Sequence, residues 1–244
     1  MKKLKNSSKS GRIVAPRVTC ILPSAGQGTR MGYRLPKAFV KVSGLPLIVL
    51  TIRNLLKSYQ FNHIIVPTPP EYMDRFGQLL KRYRLASRVT LVKGGPTRAE
   101  SVKYGFDAVD DKTDVVLIHD MARPFVTKEM IRDLIDAVAK YGAALIAQPV
   151  TSTVKQIKKA NHFQIYKTLD RNVIYLAQTP QGFRFGLLKK LYAKAKGKIQ
   201  KFTDEAQFVE SRKVPVWVVP GSALNIKVTT PQDLVLAEVI AKTT

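Results

Sequence analysis

Short, almost unbroken apolar runs alternate along this chain with longer stretches in which apolar residues recur at helical spacing. From Val18 to Pro23 it reads VTCILP, and Ser and Gly follow, as where a strand buried on both faces ends. Comparable runs stand at 63–67 (HIIVP), 88–92 (RVTLV), 114–120 (DVVLIHD) and 144–150 (ALIAQPV). Helical patterns fill the gaps: 46–57, carrying Leu47, Leu50, Leu55 and Leu56, then 69–83 and 97–109. A further helix is expected behind Thr127, a suitable N-cap, with Met130, Ile131, Leu134, Ile135 and Val138 on one face. Strands alternating with helices of this length predict βαβ units and a mostly parallel sheet covered on both faces, an α/β fold. Ligands in such sheets lie beyond the carboxyl ends of the strands, which singles out the loops 23–37, 93–101 and 120–124.

The alternation breaks between Thr151 and Pro180. Two weakly amphipathic strands are expected at 153–159 and 163–169 around Ala160–His162, with a third at 173–178. They predict a β-arm over about 151–180 that projects from the sheet. An isolated hairpin is marginal in water, so the arm needs something to pack against, for which a second subunit is the natural candidate. Helices are expected again at 184–195 and 203–211, a strand at 214–219, and a last helix opening on Thr230-Pro231-Gln232-Asp233, a capping box with proline in its first turn. Trp217, within VWVV, reads as core, as does His119; Cys20 reads as an inert buried thiol.

Composition narrows the class. The chain has 244 residues, 45% hydrophobic and 24% charged, which fits one α/β domain over 18–244 behind a basic, disordered tail at 1–17. No apolar run approaches the roughly 20 residues that span a bilayer, and the tail lacks a signal-like apolar stretch, so a cytoplasmic protein without membrane attachment is expected. The single cysteine excludes an internal disulfide framework. The formal net charge is +24, from 41 Lys+Arg against 17 Asp+Glu, and residues 151–201 hold twelve bases against Asp170 alone. Such a body attracts polyanions, whether phosphorylated metabolites or nucleic acid. A nucleic-acid-binding module is one reading, yet the chain lacks aromatic-studded strands and a recognition-helix pattern. The Lys189–Lys201 cluster is expected to be a solvated helix face without contacts.

The loop after the first strand carries the chemistry. It reads Pro23-Ser24-Ala25-Gly26-Gln27-Gly28-Thr29-Arg30-Met31-Gly32, then Pro36-Lys37. Small residues let backbone N–H groups approach an anion, and Arg30 and Lys37 add two cations. It is neither a Walker A loop nor a dinucleotide fingerprint, since a third glycine is missing at position 31. A glycine loop with paired cations in this place suits a nucleoside triphosphate. No Ser/Cys–His pair accompanies it, which argues against a covalent intermediate.

The run P-[SA]-A-G-x-G-x-R-M followed by P-K resembles the signature of sugar-phosphate nucleotidyltransferases. Gly94-Gly95-x-x-Arg98-x-x-Ser101-Val102, His119-Asp120-x-Ala122-Arg123-Pro124, Asp170-Arg171-Asn172, Gln178-Thr179-Pro180-Gln181-Gly182-Phe183, Thr203-Asp204-Glu205-Ala206 and Asn225-Ile226-Lys227-Val228-Thr229 are similar to the 2-C-methyl-D-erythritol 4-phosphate cytidylyltransferase family. The resemblance implies a Rossmann-like sheet of the nucleotide-diphospho-sugar transferase type, and transfer of CMP from CTP to methylerythritol phosphate with magnesium and release of pyrophosphate. It further implies that Ser24, Ala25, Gly26 and Gly28 hold the nucleotide, that Gly95 and Ser101 contact cytosine and ribose, and that Asp120 lies near nucleotide and metal. Arg30 and Lys37 would stabilise the charge on the α-phosphate. Thr153, Arg171, Thr203 and Lys227 would hold the acceptor, with Arg171 and Lys227 orienting its attacking oxygen, and the arm would make a homodimer whose sites borrow Arg171 and Thr203 from the neighbour. The chain departs from the family at Ser24 and Met121, usually alanine, and at Ser152 and Pro96, where acids are common. Related enzymes acting on ribitol 5-phosphate share the framework and stand as the alternative.

Overall fold

The computed structural model describes residues 15–24, 36–158, 163–195 and 199–243. The strands, in chain order, are β1 (Val18–Ile21), β2 (Lys41–Val42), β3 (Leu45–Pro46), β4 (His63–Thr68), β5 (Val89–Lys93), β6 (Val115–Ile118), β7 (Ala143–Pro149), β8 (Val154–Lys158), β9 (Gln164–Leu169), β10 (Tyr175–Arg184) and β11 (Trp217–Pro220). The helices are α1 (Leu47–Ser58), α2 (Met73–Arg82), α3 (Arg98–Asp107), α4 (Lys128–Tyr141), α5 (Phe185–Ala195), α6 (Glu205–Glu210) and α7 (Pro231–Thr243). Seven strands form one sheet in the order β11-β7-β10-β6-β1-β4-β5. Neighbours run parallel except β10, which is antiparallel to both β6 and β7.

The alternation of side chains explains the three layers. On β1 and β6, Val18, Cys20, Val115 and Leu117 join one core with α1, α4 and α7, while Ile21, Val116 and Ile118 join another with α3, α5 and α6. Both faces are apolar, so the strands read as continuous hydrophobic runs. Cys20 lies wholly inside, and burial pushes its thiol pKa up. Helix starts follow their side chains: Thr97 and Glu100 form a reciprocal capping box on α3, and Thr127 caps α4 through the Met130 N–H. At the start of α7, Thr230 N–H donates to Asp233 and Asp233 N–H to Thr230 Oγ1. Gly142, at φ 91°, ends α4 in a conformation that L side chains rarely adopt.

Four expectations need correction. The third arm strand is no part of the arm: β10 runs from Tyr175 to Arg184 in the middle of the main sheet, so the projecting segment stops near Ile174 rather than about 180. Its polar half looks like the end of a strand in sequence, but Gln178 and Gln181 are buried and satisfied, Gln181 by Asp204 and the Ala206 N–H. Trp217 is 38% exposed and stacks on Tyr141 at the sheet edge, because β11 is the last strand and has a neighbouring strand on one side only. Lys189 is not contact-free; its Nζ lies 2.6 Å from Asp111 Oδ1. Within the tail expected over 1–17, residues 1–14 lie outside the described residues, whereas Arg17 is fastened through its N–H to Asp114 and its guanidinium to Asp110.

The arm itself is β8 paired antiparallel with β9, a two-stranded sheet separate from the main one. Along it Phe163, Ile165 and Tyr166 are each more than half exposed, and Val173 beside it is 77% exposed.

Candidate active site

From β1 the chain winds to β4 and β5 on one side, then crosses to β6 on the other. The order reverses between β1 and β6, where Ile21 pairs with Ile118. A crevice opens at such a switch point beyond the carboxyl ends of the strands. Ser24 and Asp120 lie just past those ends. The Ser24 N–H donates to the Pro67 carbonyl and its hydroxyl to Leu22 O, which pins the base of the glycine loop to β1 and β4. Ser24 is therefore accommodated by a local hydrogen bond where the family usually has alanine. Ala25, Gly26, Gly28 and Arg30 lie outside the described residues. Lys37 re-enters beyond the loop at the first position of a short 3-10 turn, Lys37–Phe39.

Asp120 is the centre of a charge cluster assembled from four distinct segments. Its Oδ1 lies 3.3 Å from Arg98 Nε, its Oδ2 2.5 Å from Lys227 Nζ, and the Arg98 guanidinium reaches on to both oxygens of Glu205 at 3.0 and 3.1 Å. Burial alone would raise the Asp120 carboxyl; Arg98 and Lys227 overcome that and hold it well below the usual carboxylate range. Burial raises Glu205, opposed by the Arg98 guanidinium. Arg98 itself is held firmly charged: burial works against its cation, and the two carboxylates outweigh it. The result is an alternating row of fixed charges whose outer member, Lys227, has a half-exposed side chain.

The loop after β5 approaches the same place. Ser101 is fully buried; its hydroxyl accepts the Gly95 N–H at 3.0 Å and faces the carbonyls of Thr97 and Gly95. The serine thus shapes the loop from inside and leaves the Gly95 backbone as the surface a ligand would meet. A Cβ on Gly95 would sit 2.5 Å from Glu100 Cβ, so only glycine fits without displacing the start of α3. His119, adjacent to Asp120, is a packed neutral imidazole as expected: burial pushes it down to about 4, and its Nε2 lies 2.8 Å from the Arg123 carbonyl. Arg123 braces the site from behind by donating to Asn225 O at 2.7 Å.

Of the remaining expected residues, Thr203 adjoins this cluster, two residues before Glu205, whereas Thr153 and Arg171 lie on the arm. Thr203 precedes α6, and its N–H and hydroxyl donate to Gln207. Thr153 and Arg171 are exposed at the arm, and the hydrogen bond of Arg171 goes to Thr151 O on the arm's own base. Within this one chain, the structure brings together Asp120 and Lys227 but not Thr153 or Arg171. Conversely, Arg98 and Glu205 were not singled out among the candidate residues although both sit inside the quoted motifs. The signal was available: an acid and an arginine, each in the first turn of a helix within a quoted motif, are costly to bury unless they meet.

Among the described residues, no group of three His, Cys, Asp or Glu side chains gathers to hold a metal unaided. A single charged carboxylate at Asp120 is nonetheless what magnesium requires when the nucleotide phosphates complete its shell.

Comparison with known proteins agrees with this layout. The family model for 2-C-methyl-D-erythritol 4-phosphate cytidylyltransferase matches residues 18–243. The chain is 40% identical over 228 residues to the protein of that name from Syntrophus aciditrophicus, covering 93% of this chain and 97% of the relative. It is likewise 40% identical over 222 residues to the Bacillus anthracis protein of that name, covering 90% and 96%. Among solved structures it is similar to 4-diphosphocytidyl-2C-methyl-D-erythritol synthase of Anaerococcus prevotii, with a TM-score of 0.79 at 28% identity over 93% of this chain and 99% of that one. It is also similar to 2-C-methyl-D-erythritol 4-phosphate cytidylyltransferase of Thermus thermophilus, with a TM-score of 0.76 at 32% identity over 93% and 99%.

Proposed function

The chain belongs to the 2-C-methyl-D-erythritol 4-phosphate cytidylyltransferase family, and on that premise we propose how its own residues carry out the transfer. It is a nucleotidyltransferase that moves a cytidylyl group from CTP to 2-C-methyl-D-erythritol 4-phosphate. The ribitol 5-phosphate alternative and the nucleic-acid-binding reading have no comparable support.

A phosphate monoester is mostly dianionic at neutral pH, so the acceptor needs no general base. One of its oxygens attacks the α-phosphorus of CTP; the new P–O bond forms as the bond to the β-phosphate bridge breaks, and pyrophosphate leaves. The obstacle is repulsion between two anions, and fixed cations are what the protein supplies. Arg30 and Lys37 stabilise the charge at the α-phosphate, with Ser24, Ala25, Gly26 and Gly28 wrapping the triphosphate and Gly95 forming the wall towards cytosine and ribose, held in shape from behind by the buried Ser101 instead of a direct Ser101 contact. A magnesium ion, when bound, neutralises phosphate charge and orients the triphosphate, and Asp120 is the carboxylate that would hold it. Lys227 orients the acceptor phosphate. Because it rests on Asp120 without substrate, it exchanges one anionic partner for another instead of being desolvated anew. Thr153, Arg171 and Thr203 complete the acceptor pocket.

The observation that supports this reading most is the meeting of Arg98, Asp120 and Lys227 at the β1/β6 switch point, from three segments well separated along the chain. The exposed apolar residues of the arm support a homodimer in which Arg171 serves the partner's site, whereas Thr203, beside Glu205, belongs to the site of its own chain, against the expectation that it is borrowed. Among the described residues no helix is long and apolar enough to cross a membrane, and charged metabolites as substrates fit a cytoplasmic enzyme. Pyrophosphate release from CTP and magnesium, with methylerythritol 4-phosphate and ribitol 5-phosphate assayed side by side, tests the reading. Turnover with the first alone is expected; turnover with the second alone overturns the acceptor assignment.

A further inference from the structure

Behind the charge cluster lies a second, uncharged layer of contacts that the transfer chemistry does not use. The ladder between β10 and β7 shifts register between Ala177 and Gln181, and the residues inside that irregularity turn their polar groups to the site instead. Thr179 Oγ1 accepts the backbone N–H of Asp120 at 2.9 Å and lies 3.1 Å from His119 Nδ1. The direction of each bond follows from the partners. The Arg123 carbonyl can only accept, so His119 carries its proton on Nε2; in a neutral imidazole Nδ1 is then an acceptor, and the Thr179 hydroxyl donates to it. Thr179 is thereby locked in one rotor, with its lone pair aimed at Asp120.

Asn225, two residues before Lys227, anchors the loop that carries it to β10. It is fully buried, and its Nδ2 donates to Gln178 Oε1 and to Thr179 O, both at 3.1 Å. Gln178 is itself oriented by donating from Nε2 to Ser222 O at 2.8 Å, which leaves its oxygen for Asn225. The Asn225 carbonyl accepts from Arg123 at 2.7 Å, and Val228 N–H donates to Ala122 O at 2.9 Å. Lys227 therefore stands between two anchor points on the very loop that follows Asp120.

We propose that Thr179 and Asn225 are positioning residues of the transfer site, acting through Asp120 and Lys227 respectively without touching substrate. The proposal rests on the assignment of Asp120 and Lys227 to the site. Its geometric content is that the β10 irregularity is bonded both to the backbone of Asp120 and to the loop that carries Lys227, which fixes the two loops relative to one another.

A double-mutant cycle tests it. Thr179→Val keeps the shape and removes the hydroxyl; Thr179→Ser keeps the hydroxyl. Turnover of Thr179→Val should fall about 10- to 100-fold, as misplacement of a reacting group by about an ångström does. The KM for CTP should change less than about threefold, since uniform binding is untouched, and Thr179→Ser should recover most of the loss. In an Asp120→Asn background, read by single-turnover measurement at high enzyme concentration, Thr179→Val should cost nothing further, because coupled residues are non-additive. Wild-type turnover in Thr179→Val, a Thr179→Ser variant no better than Thr179→Val, or losses that multiply in the double variant would each overturn the proposal while leaving the site assignment standing. Full turnover in Asp120→Asn alone would overturn both. Should Thr179→Val fail to fold, the same cycle with Asn225→Ala and Lys227→Ala decides: non-additivity supports the proposal and independent losses sink it.

Discussion

At the end of the parallel sheet, Asp120, Arg98, Glu205 and Lys227 neutralise one another within a few ångströms, each carried on a different segment and backed by buried hydrogen bonds. Along the arm, Thr153 and Arg171 stand in solvent on a two-stranded sheet whose apolar residues are exposed as well. The sheet end is pre-organised by one chain's own core, so its electrostatics are already set before substrate arrives. The arm carries apolar surface that a lone hairpin cannot bury, which is the condition of an element completed by something outside its own fold. On the proposed reading, the subunit builds the nucleotide half and the Lys227 end of the acceptor pocket by itself, and a neighbour's arm completes the acceptor half.

The sharpest way to break that contrast is at its nucleotide half. Lys37→Ala should lower turnover by about 100- to 1,000-fold, the usual cost of removing one donor from a charge-stabilising site, while the thermal midpoint stays near that of the parent. A folded Lys37→Ala protein with near-normal turnover would remove Lys37 from the site.

The next effect concerns how the nucleotide half is held. The His119 imidazole is pushed down to about 4 in the folded protein, against an ordinary value of 6.5. Between those values the unfolded chain takes up a proton that the native state refuses. Stability from this group is therefore complete above pH 6.5 and declines as the pH falls towards 4, by up to about 3 kcal/mol. Urea unfolding from about pH 7.5 down to about 4.5 should show this slope, and His119→Gln should flatten it; an unchanged slope in the variant would place the titrating group elsewhere.

The acceptor half is probed by mixing subunits. Arg171→Ala and Arg30→Ala proteins should each be poorly active alone, yet their heterodimer should regain about half the parental turnover, since one of its two sites then carries both lesions and the other none. Verified heterodimers without recovery would mean that each site is built within one chain. The smallest effect is on the arm's surface. Ile165→Ser replaces an exposed side chain and should change monomer stability by no more than about 0.5 kcal/mol. It should nevertheless shift sedimentation from dimer towards monomer, and an unaltered dimer would show that this face is not the one covered.

Much of this organisation was legible in the chain. The apolar runs at 18–23, 63–67, 114–120 and 144–150 each became a strand of the main sheet within a residue or two, because both faces of such strands are buried and every position reports it. Thr127 and Thr230 marked helix starts that formed with their expected caps, since capping is settled within four residues. The motifs at 94–102, 119–124 and 203–206 lie where the site is built. What was not legible were features whose meaning depends on a distant partner. Gln178-Thr179-Pro180-Gln181 looks like the end of a strand until Asn225, Asp204 and Ala206 are there to satisfy it. Trp217 looks like core until its strand proves to be the sheet's edge.

The same division separates what residue order settled alone from what packing had to supply. Local periodicity and short motifs settled the α/β class, the loops at the carboxyl ends of the strands and the family, because those depend on neighbours along the chain and on residue type. The pairing of Arg98 with both Asp120 and Glu205, the resting place of Lys227, and the insertion of an antiparallel β10 between β6 and β7 belong to the folded molecule. Charges and polar groups can be buried only where partners converge from several segments, and that convergence is a property of the whole packing, to which no single stretch of the chain gives access.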